Sequence, residues 1–253
     1  MVLKDLERWF NSVLDIHSYV SADPSRNGVQ VENDGADIKL VAFAVDASLQ
    51  TIEKAAAAGA GLLVVHHGLF WRDSICVTGS HYARLKTLFN SNLALYASHL
   101  PLDAHPEIGN NAGIAQKIGL EFLEPFGEWR GSMIGFKGKF PEPVSLDTIL
   151  KRLFSEGKKN VHILPFGPEK IRTAAIVSGG ASGEVHQAMQ QGCDLYITGE
   201  VEHEIYHPCL EGKISVIGAG HYETETIGVR LLSQRLALET SIDTVFIDAP
   251  TGL

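Results

Sequence analysis

Three short stretches of this chain carry side chains suited to metal ions: His66-His67, His99-x3-Asp103 and His221-x3-Glu225. Each follows an apolar run, GLLVV, LALYAS and SVIGAG respectively, and strand ends are where α/β proteins gather ligands. Inside a regular strand a His-His pair would send one ring to the core and one to solvent, because neighbouring side chains alternate. Just before Gly68, where alternation breaks down, both rings can turn toward one cavity. A single His-x3-Asp or His-x3-Glu equally suits a carboxylate capping a helix start. Together, mixed imidazoles and carboxylates suit a borderline first-row ion such as zinc, manganese, iron, cobalt or nickel, not calcium, which prefers oxygen alone. Two divalent ions need a bridge, which a carboxylate such as Glu225 can supply. A pair about 3.5–4 Å apart lowers the pKa of a shared water and polarises the bond it attacks, so hydrolysis is the expected chemistry.

Beside these residues, His99, Glu200 and His203 are candidates for acid/base work or for orienting ligands, with helix capping or a solvated surface as the alternative. The SGGASG loop, Ser178–Gly183, follows an apolar run and precedes a helical pattern. Its backbone N–H groups suit a phosphate or carboxylate, although it lacks the Lys-Ser/Thr of a P-loop and a tight turn alone would explain its glycines. His81, His105, Glu107, His162, His186 and His207 are assigned no role.

The elements that must position these groups read as α/β. The chain opens with an amphipathic helix through Leu3, Leu6, Trp9 or Phe10, Val13 and Leu14, followed by the turn-rich SADPSRNG and a short strand at Val29–Glu32. From Ile38 the pattern is strand, helix, strand, which predicts a βαβ unit; a helix around Tyr82–Phe89 and a strand at Leu93–Ala97 extend it with parallel pairing. Ile38–His67 then aligns without a gap on Ile171–Glu200, placing Gly59 on Gly192 and His66-His67 on Gly199-Glu200. Further on, LALYASHLPLD faces SVIGAGHYETE, His99 on His221 and Asp103 on Glu225. Any two βαβ units share such a pattern, but the second match favours duplication. The expectation is two related three-layer α/β lobes, residues 1–128 and 129–253, with the metal site between them and a boundary near Pro125–Ser132. The last helix, Thr226–Leu238, and the strand TVFIDAP, within 226–253, could pack on either lobe.

Composition narrows the function. The 253 residues, 45% of them hydrophobic, suffice for two ordinary domains. A net charge of −9 argues against coating nucleic acid or anionic membrane and favours a small-molecule or protein partner. Three scattered cysteines without a CxxC pair suit reduced thiols. The first residues lack the apolar run of a signal peptide, and Ala55–Val65 is too short to span a bilayer, so a cytoplasmic location is expected.

VVHHGLFW, SHLPLDAHPEIGNNA, YITGEVEH and GAGHYETE, with NGVQVEN upstream, resemble the Nif-three-like family, which also bears the label GTP cyclohydrolase 1 type 2 homolog. The similarity runs in the same order over essentially the whole chain. It implies a dinuclear site at His66, His67, Asp103, His221 and Glu225, with His66 and Asp103 on one ion, His67 and His221 on the other and Glu225 bridging. It also implies two α/β lobes, assembly into a homohexamer and an activity that is not settled. This chain follows the short branch without a middle insert domain, and it reads HLPLD where many relatives read HTNLD. The functions in play are a metal-dependent hydrolase of the cyclic amidohydrolase or phosphoesterase type, a non-catalytic metal-binding or delivery protein, and an adaptor.

Overall fold

The computed structural model describes residues 1–154 and 161–253. In chain order, the first part contains α1 (Leu3–Leu14), β1 (Gly28–Val31), β2 (Leu40–Asp46), α2 (Leu49–Ala57), β3 (Leu62–His67), α3 (Gly79–Asn90), β4 (Ala94–Ala97) and the single-turn α4 (Leu100–Asp103). The next part holds α5 (Asn110–Ile118), β5 (Glu121–Trp129), β6 (Ser132–Val144), α6 (Leu146–Leu153), β7 (His162–Pro165), β8 (Ile171–Ile176), α7 (Val185–Gln190), β9 (Leu195–Thr198), α8 (Tyr206–Gly212) and β10 (Ser215–Gly218). The chain finishes with α9 (His221–Thr240) and β11 (Asp243–Phe246). Two compact units result: residues 1–102 with 228–249, and residues 103–227 with 250–253. The division expected at 128/129 would cut through the end of β5 and part it from β6, although the two are paired from Glu121↔Lys139 to Trp129↔Ser132, and the terminal segment 228–249 belongs to the first unit.

The first unit is built on a sheet ordered β1-β4-β3-β2-β11, in which β4, β3, β2 and β11 run parallel and β1 is antiparallel. Both sheet faces are apolar, which is why β2 and β3 read as continuous hydrophobic runs rather than alternating ones. On one face Ala42, Ala44, Leu63, Val65 and Leu95 pack with Ile52 and Ala55 of α2 and Leu85 and Leu88 of α3. On the other, Phe10 of α1 stacks against Phe43 and Tyr96, with ring centroids 6.3 and 4.8 Å away. Trp9 Nε1 donates to Glu239 Oε2 at 2.9 Å, tying α1 to α9 on that side. Ser48 starts α2 with a reciprocal cap: its Oγ accepts from Thr51 N, and Ser48 N donates to Thr51 Oγ1.

The second unit's sheet is ordered β5-β6-β8-β9-β10-β7. Helices α5 and α6 cover one face, where Ile114, Ile118, Ile149 and Leu153 meet Ile176, Leu195, Ile197 and Ile217. On the other, α7 touches β9, and Tyr196 Oη donates to Ala181 O at 2.6 Å. The repeat is visible in the ladders: Val41 pairs with Leu62 in the first unit and Ala174 with Leu195 in the second, at equivalent aligned positions. Each parallel trio is also flanked by an antiparallel strand, β1 on β4 and β7 on β10. The third strand corrects the alignment by one residue. Leu62 pairs with Ala94 and Leu195 with Ser215, so Ala94, not Leu93, is the equivalent of Ser215, and His99 is the equivalent of Gly220 rather than His221.

Cys193 and Cys209 are buried, and burial pushes both thiols up to about 11, which keeps them protonated and unreactive. Among the described residues no helix is long and apolar enough to cross a membrane.

Candidate metal centre

In the first unit, β3 lies between β2 and β4, so its end is held from both sides. His66 and His67 belong to the strand itself, yet their rings lie 4.7 Å apart between centroids, and His99, just after β4, comes within 5.0 Å of His66 and 5.7 Å of His67. One ring nitrogen from each of the three lies within 4.8 Å of the others.

The Nδ1 atoms explain how the rings are aimed. His66 Nδ1 lies 3.0 Å from Ser98 O, His67 Nδ1 2.8 Å from Asp46 Oδ1, and His99 Nδ1 2.9 Å from Asp23 Oδ1. Each contact is with an oxygen acceptor, so Nδ1 carries the proton and the lone pair of the neutral ring sits on Nε2, the arrangement a metal-binding histidine needs. Asp46 ends β2 beside His67 in the parallel ladder. Asp23 comes from the SADPSRNG turn and is buried; its Oδ1 also accepts from Ser25 N, and its Oδ2 accepts from Asn27 Nδ2 and Leu100 N. Burial works to raise the Asp23 carboxyl, but the hydrogen bond from His99, the charge of that ring when it is protonated, and the Asn27 and Ser25 donors outweigh it and hold the group below the usual carboxylate range. Trp71 closes one side, 5.2 Å from His99 in an edge-on arrangement, its Nε1 bonded to Gly68 O.

In the second unit α9 begins at His221, five positions earlier than the hydrophobic pattern predicts, so His221 and Glu225 stand at i and i+4 on one helical face. Nε2 of His221 lies 3.2 Å from Glu225 Oε1, and Nδ1 lies 2.6 Å from Glu200 Oε1. Glu200 therefore orients His221 as Asp46 orients His67. Glu225 is buried at 3% exposure. The SGG loop leaves room for this pair: a Cβ at Gly179 would overlap Glu225 Oε1 and come 3.3 Å from His221 Nε2, and Gly179 sits at φ +68°. A Cβ at Gly199 would come 2.7 Å from His221 Cα. Two of the loop's amides are engaged internally, Ser178 N with Asn111 Oδ1 and Gly179 N with Thr224 Oγ1, and α7 beyond it is only six residues long.

Asp103 is buried, and its Oδ1 accepts from Asn110 Nδ2 and Ser178 Oγ, both at 2.9 Å. Asn111 Nδ2 donates to Asp103 O and Ile134 O, fixing the segment that carries the carboxylate. His203 is exposed in a short 3-10 turn.

The donor set fits divalent metal ions: imidazoles presenting Nε2, buried carboxylates, and a glycine whose missing side chain gives one carboxylate its space. Sequence reasoning passed over Asp23, Asp46, Asn110, Asn111 and Ser178, which hold the candidates in place. The signal for Asp46 was present, since VD ends β2 where VHH ends β3; Asp23 had none beyond a turn-forming Asp-Pro. Replacing Asp46 with Ala is expected to lower metal affinity about 10- to 100-fold while leaving the melting temperature near wild type, checked by competition with a chelating dye.

The profile of the Duf34/NIF3 family (NGG1p interacting factor 3) matches residues 1–251. A protein of Archaeoglobus fulgidus named GTP cyclohydrolase 1 type 2 homolog is 44% identical over 253 residues, covering 100% of both chains. One of the same name from Treponema pallidum is 41% identical over 286 residues, again covering 100% of both. Among solved structures, the protein TTHA1606 of Thermus thermophilus superposes with a TM-score of 0.90 at 36% identity over 100% of each chain.

Proposed function

As this chain belongs to the Duf34/NIF3 family, we propose that it holds two divalent metal ions with His66, His67, Asp103, His221 and Glu225 and uses them to hydrolyse a small molecule. The observation that carries the reading is common to both units: His66, His67, His99 and His221 each have Nδ1 against an oxygen acceptor, which directs Nε2 to a ligand. Such uniform second contacts are what metal-binding imidazoles require and what unrelated surface histidines do not share. In this reading His66 and Asp103 would hold one ion and His67 and His221 the other, with the Glu225 carboxylate shared between them.

When bound, the ion pair would supply Lewis acidity and a water made acidic enough to act near neutral pH. The chain's own residues do the rest. Asp46, Glu200 and the Ser98 carbonyl keep His67, His221 and His66 in one tautomer. Asn110 and Ser178 orient Asp103. His99, its Nδ1 proton directed at Asp23, presents Nε2 beside His66 and His67 and is placed to take or return a proton. Trp71 shields that side from water. The name of the relatives points to a purine-like ring as one substrate class, with cyclic amides and phosphate esters as the others this chemistry serves. The hexamer implied by the family resemblance belongs to the same proposal and is checked by mass in solution.

The test is turnover on phosphate esters, nucleotides and cyclic amides with zinc, manganese, iron, cobalt or nickel restored. Hydrolysis of one class, lost by at least about 100-fold in Glu225→Ala, supports the reading. Two ions per chain with no turnover on any class would replace it with metal binding or delivery.

A further inference from the structure

The turn that supplies Asp23 also walls a pocket of about 190 Å³, lined among others by His17, Asp23, Ser25, Arg26, Asn27 and Arg72, all within the first unit. In a chain of net charge −9, two guanidinium groups on one small pocket run against the general charge. Asp23 is not paired with either guanidinium among the described residues: its side chain has 0% exposure, and its oxygens accept from Ser25 N, His99 Nδ1, Asn27 Nδ2 and Leu100 N. Arg72 Nη2 donates to Ser21 O at 3.2 Å and Arg26 Nη2 to Arg72 O at 3.5 Å. These bonds tether the two forks and leave most of the five N–H donors of each guanidinium uncommitted among the described residues. Ser25 gives an independent indication. It lines the pocket at 7% exposure, and its buried Oγ makes no hydrogen bond among the described residues. A buried hydroxyl without a partner is costly and calls for a ligand atom.

We propose that Arg26, Arg72 and Ser25 bind a phosphate group in this pocket, one residue, Asp23, away from the histidine cluster. Planar guanidinium forks match tetrahedral oxyanions with paired hydrogen bonds. The volume takes a phosphate but falls short of the space a whole drug-sized ligand fills, so the group is either free phosphate or the phosphate end of a larger molecule whose remainder lies outside. The site stands on the first unit alone and does not depend on the hydrolase reading.

Isothermal titration of the metal-stripped full chain with inorganic phosphate, and separately with a sugar phosphate and a nucleoside monophosphate, tests it. Removing metal separates this site from phosphate held by metal ions, and a His67→Ala variant serves as a control that should bind phosphate like the wild type. Saturable binding that weakens with added salt, falls at least about tenfold in Arg26→Gln/Arg72→Gln and less in Ser25→Ala, supports the proposal. A phosphate ester binding tighter than phosphate would identify the larger molecule as the source, and equal binding the free anion. No saturable phosphate binding in the wild type, or equal binding in the folded double variant, overturns it.

Discussion

Asp23→Ala is expected to destabilise the protein by about 3 kcal/mol, because it strips one buried carboxylate from four donors at once. The backbone N–H groups of Ser25 and Leu100, the Asn27 amide and the His99 ring all lose their acceptor, and a cavity forms where Asp23 was 3% exposed. At roughly 2–4 °C per kcal/mol for a chain of this size, the apparent melting temperature drops by about 6 °C or more. Acid dependence supplies a second check. The Asp23 carboxyl titrates below its usual range in the folded state, so its stabilisation is fully present above the unfolded value near 3.9 and is lost as pH falls through the folded value. The difference between wild type and Asp23→Ala should therefore be constant above about pH 5 and shrink below about pH 4. A variant that melts with the wild type at pH 7 would remove Asp23 from its structural role.

The second large effect is expected at Gly179. Its positive φ alone costs a non-glycine residue about 1–2 kcal/mol, and any Cβ overlaps Glu225 Oε1. Gly179→Ala should therefore displace the Glu225 carboxylate and lower affinity for at least one metal ion by about 100-fold or more, with a stability loss of about 2 kcal/mol. The variant should remain folded by circular dichroism, since Gly179 is flanked by anchored groups: Ser178 N bonds to Asn111 Oδ1 and Gly179 O accepts from Gly199 N and Glu200 N. Unchanged metal affinity would mean that Glu225 does not need the position it occupies.

Sequence legibility divided along physical lines. Strands β2 and β3 were readable because burial on both sheet faces demands continuous apolar runs, and the repeat was readable because β2-β3 and β8-β9 keep the same register. The one-residue slip at β4 and β10 was not, since short apolar strands slide past each other without changing composition. The hairpin β5-β6 and the antiparallel edge β7 were missed because few of their side chains alternate cleanly; Phe122 is 74% exposed in a strand. The start of α9 at His221 was obscured by its polar first turn, HYETET. Ligand types and strand-end positions singled out His66, His67, His99, Asp103, His221 and Glu225 as candidates. The carboxylates that aim them, Asp23 and Asp46, come from a turn and a neighbouring strand. Glu200 was anticipated only through the repeat. Such partners are fixed by three-dimensional proximity, which spacing along the chain does not encode.

The most direct test of the proposed metal centre is the metal content of the full chain, stripped with a chelator, reloaded separately with zinc, manganese, iron, cobalt and nickel, and measured by elemental mass spectrometry beside His67→Ala and Glu225→Ala. Two ions per wild-type chain for at least one metal, with at least one ion lost in each variant, is the expected result. Fewer than one ion per wild-type chain with every metal would contradict the dinuclear centre.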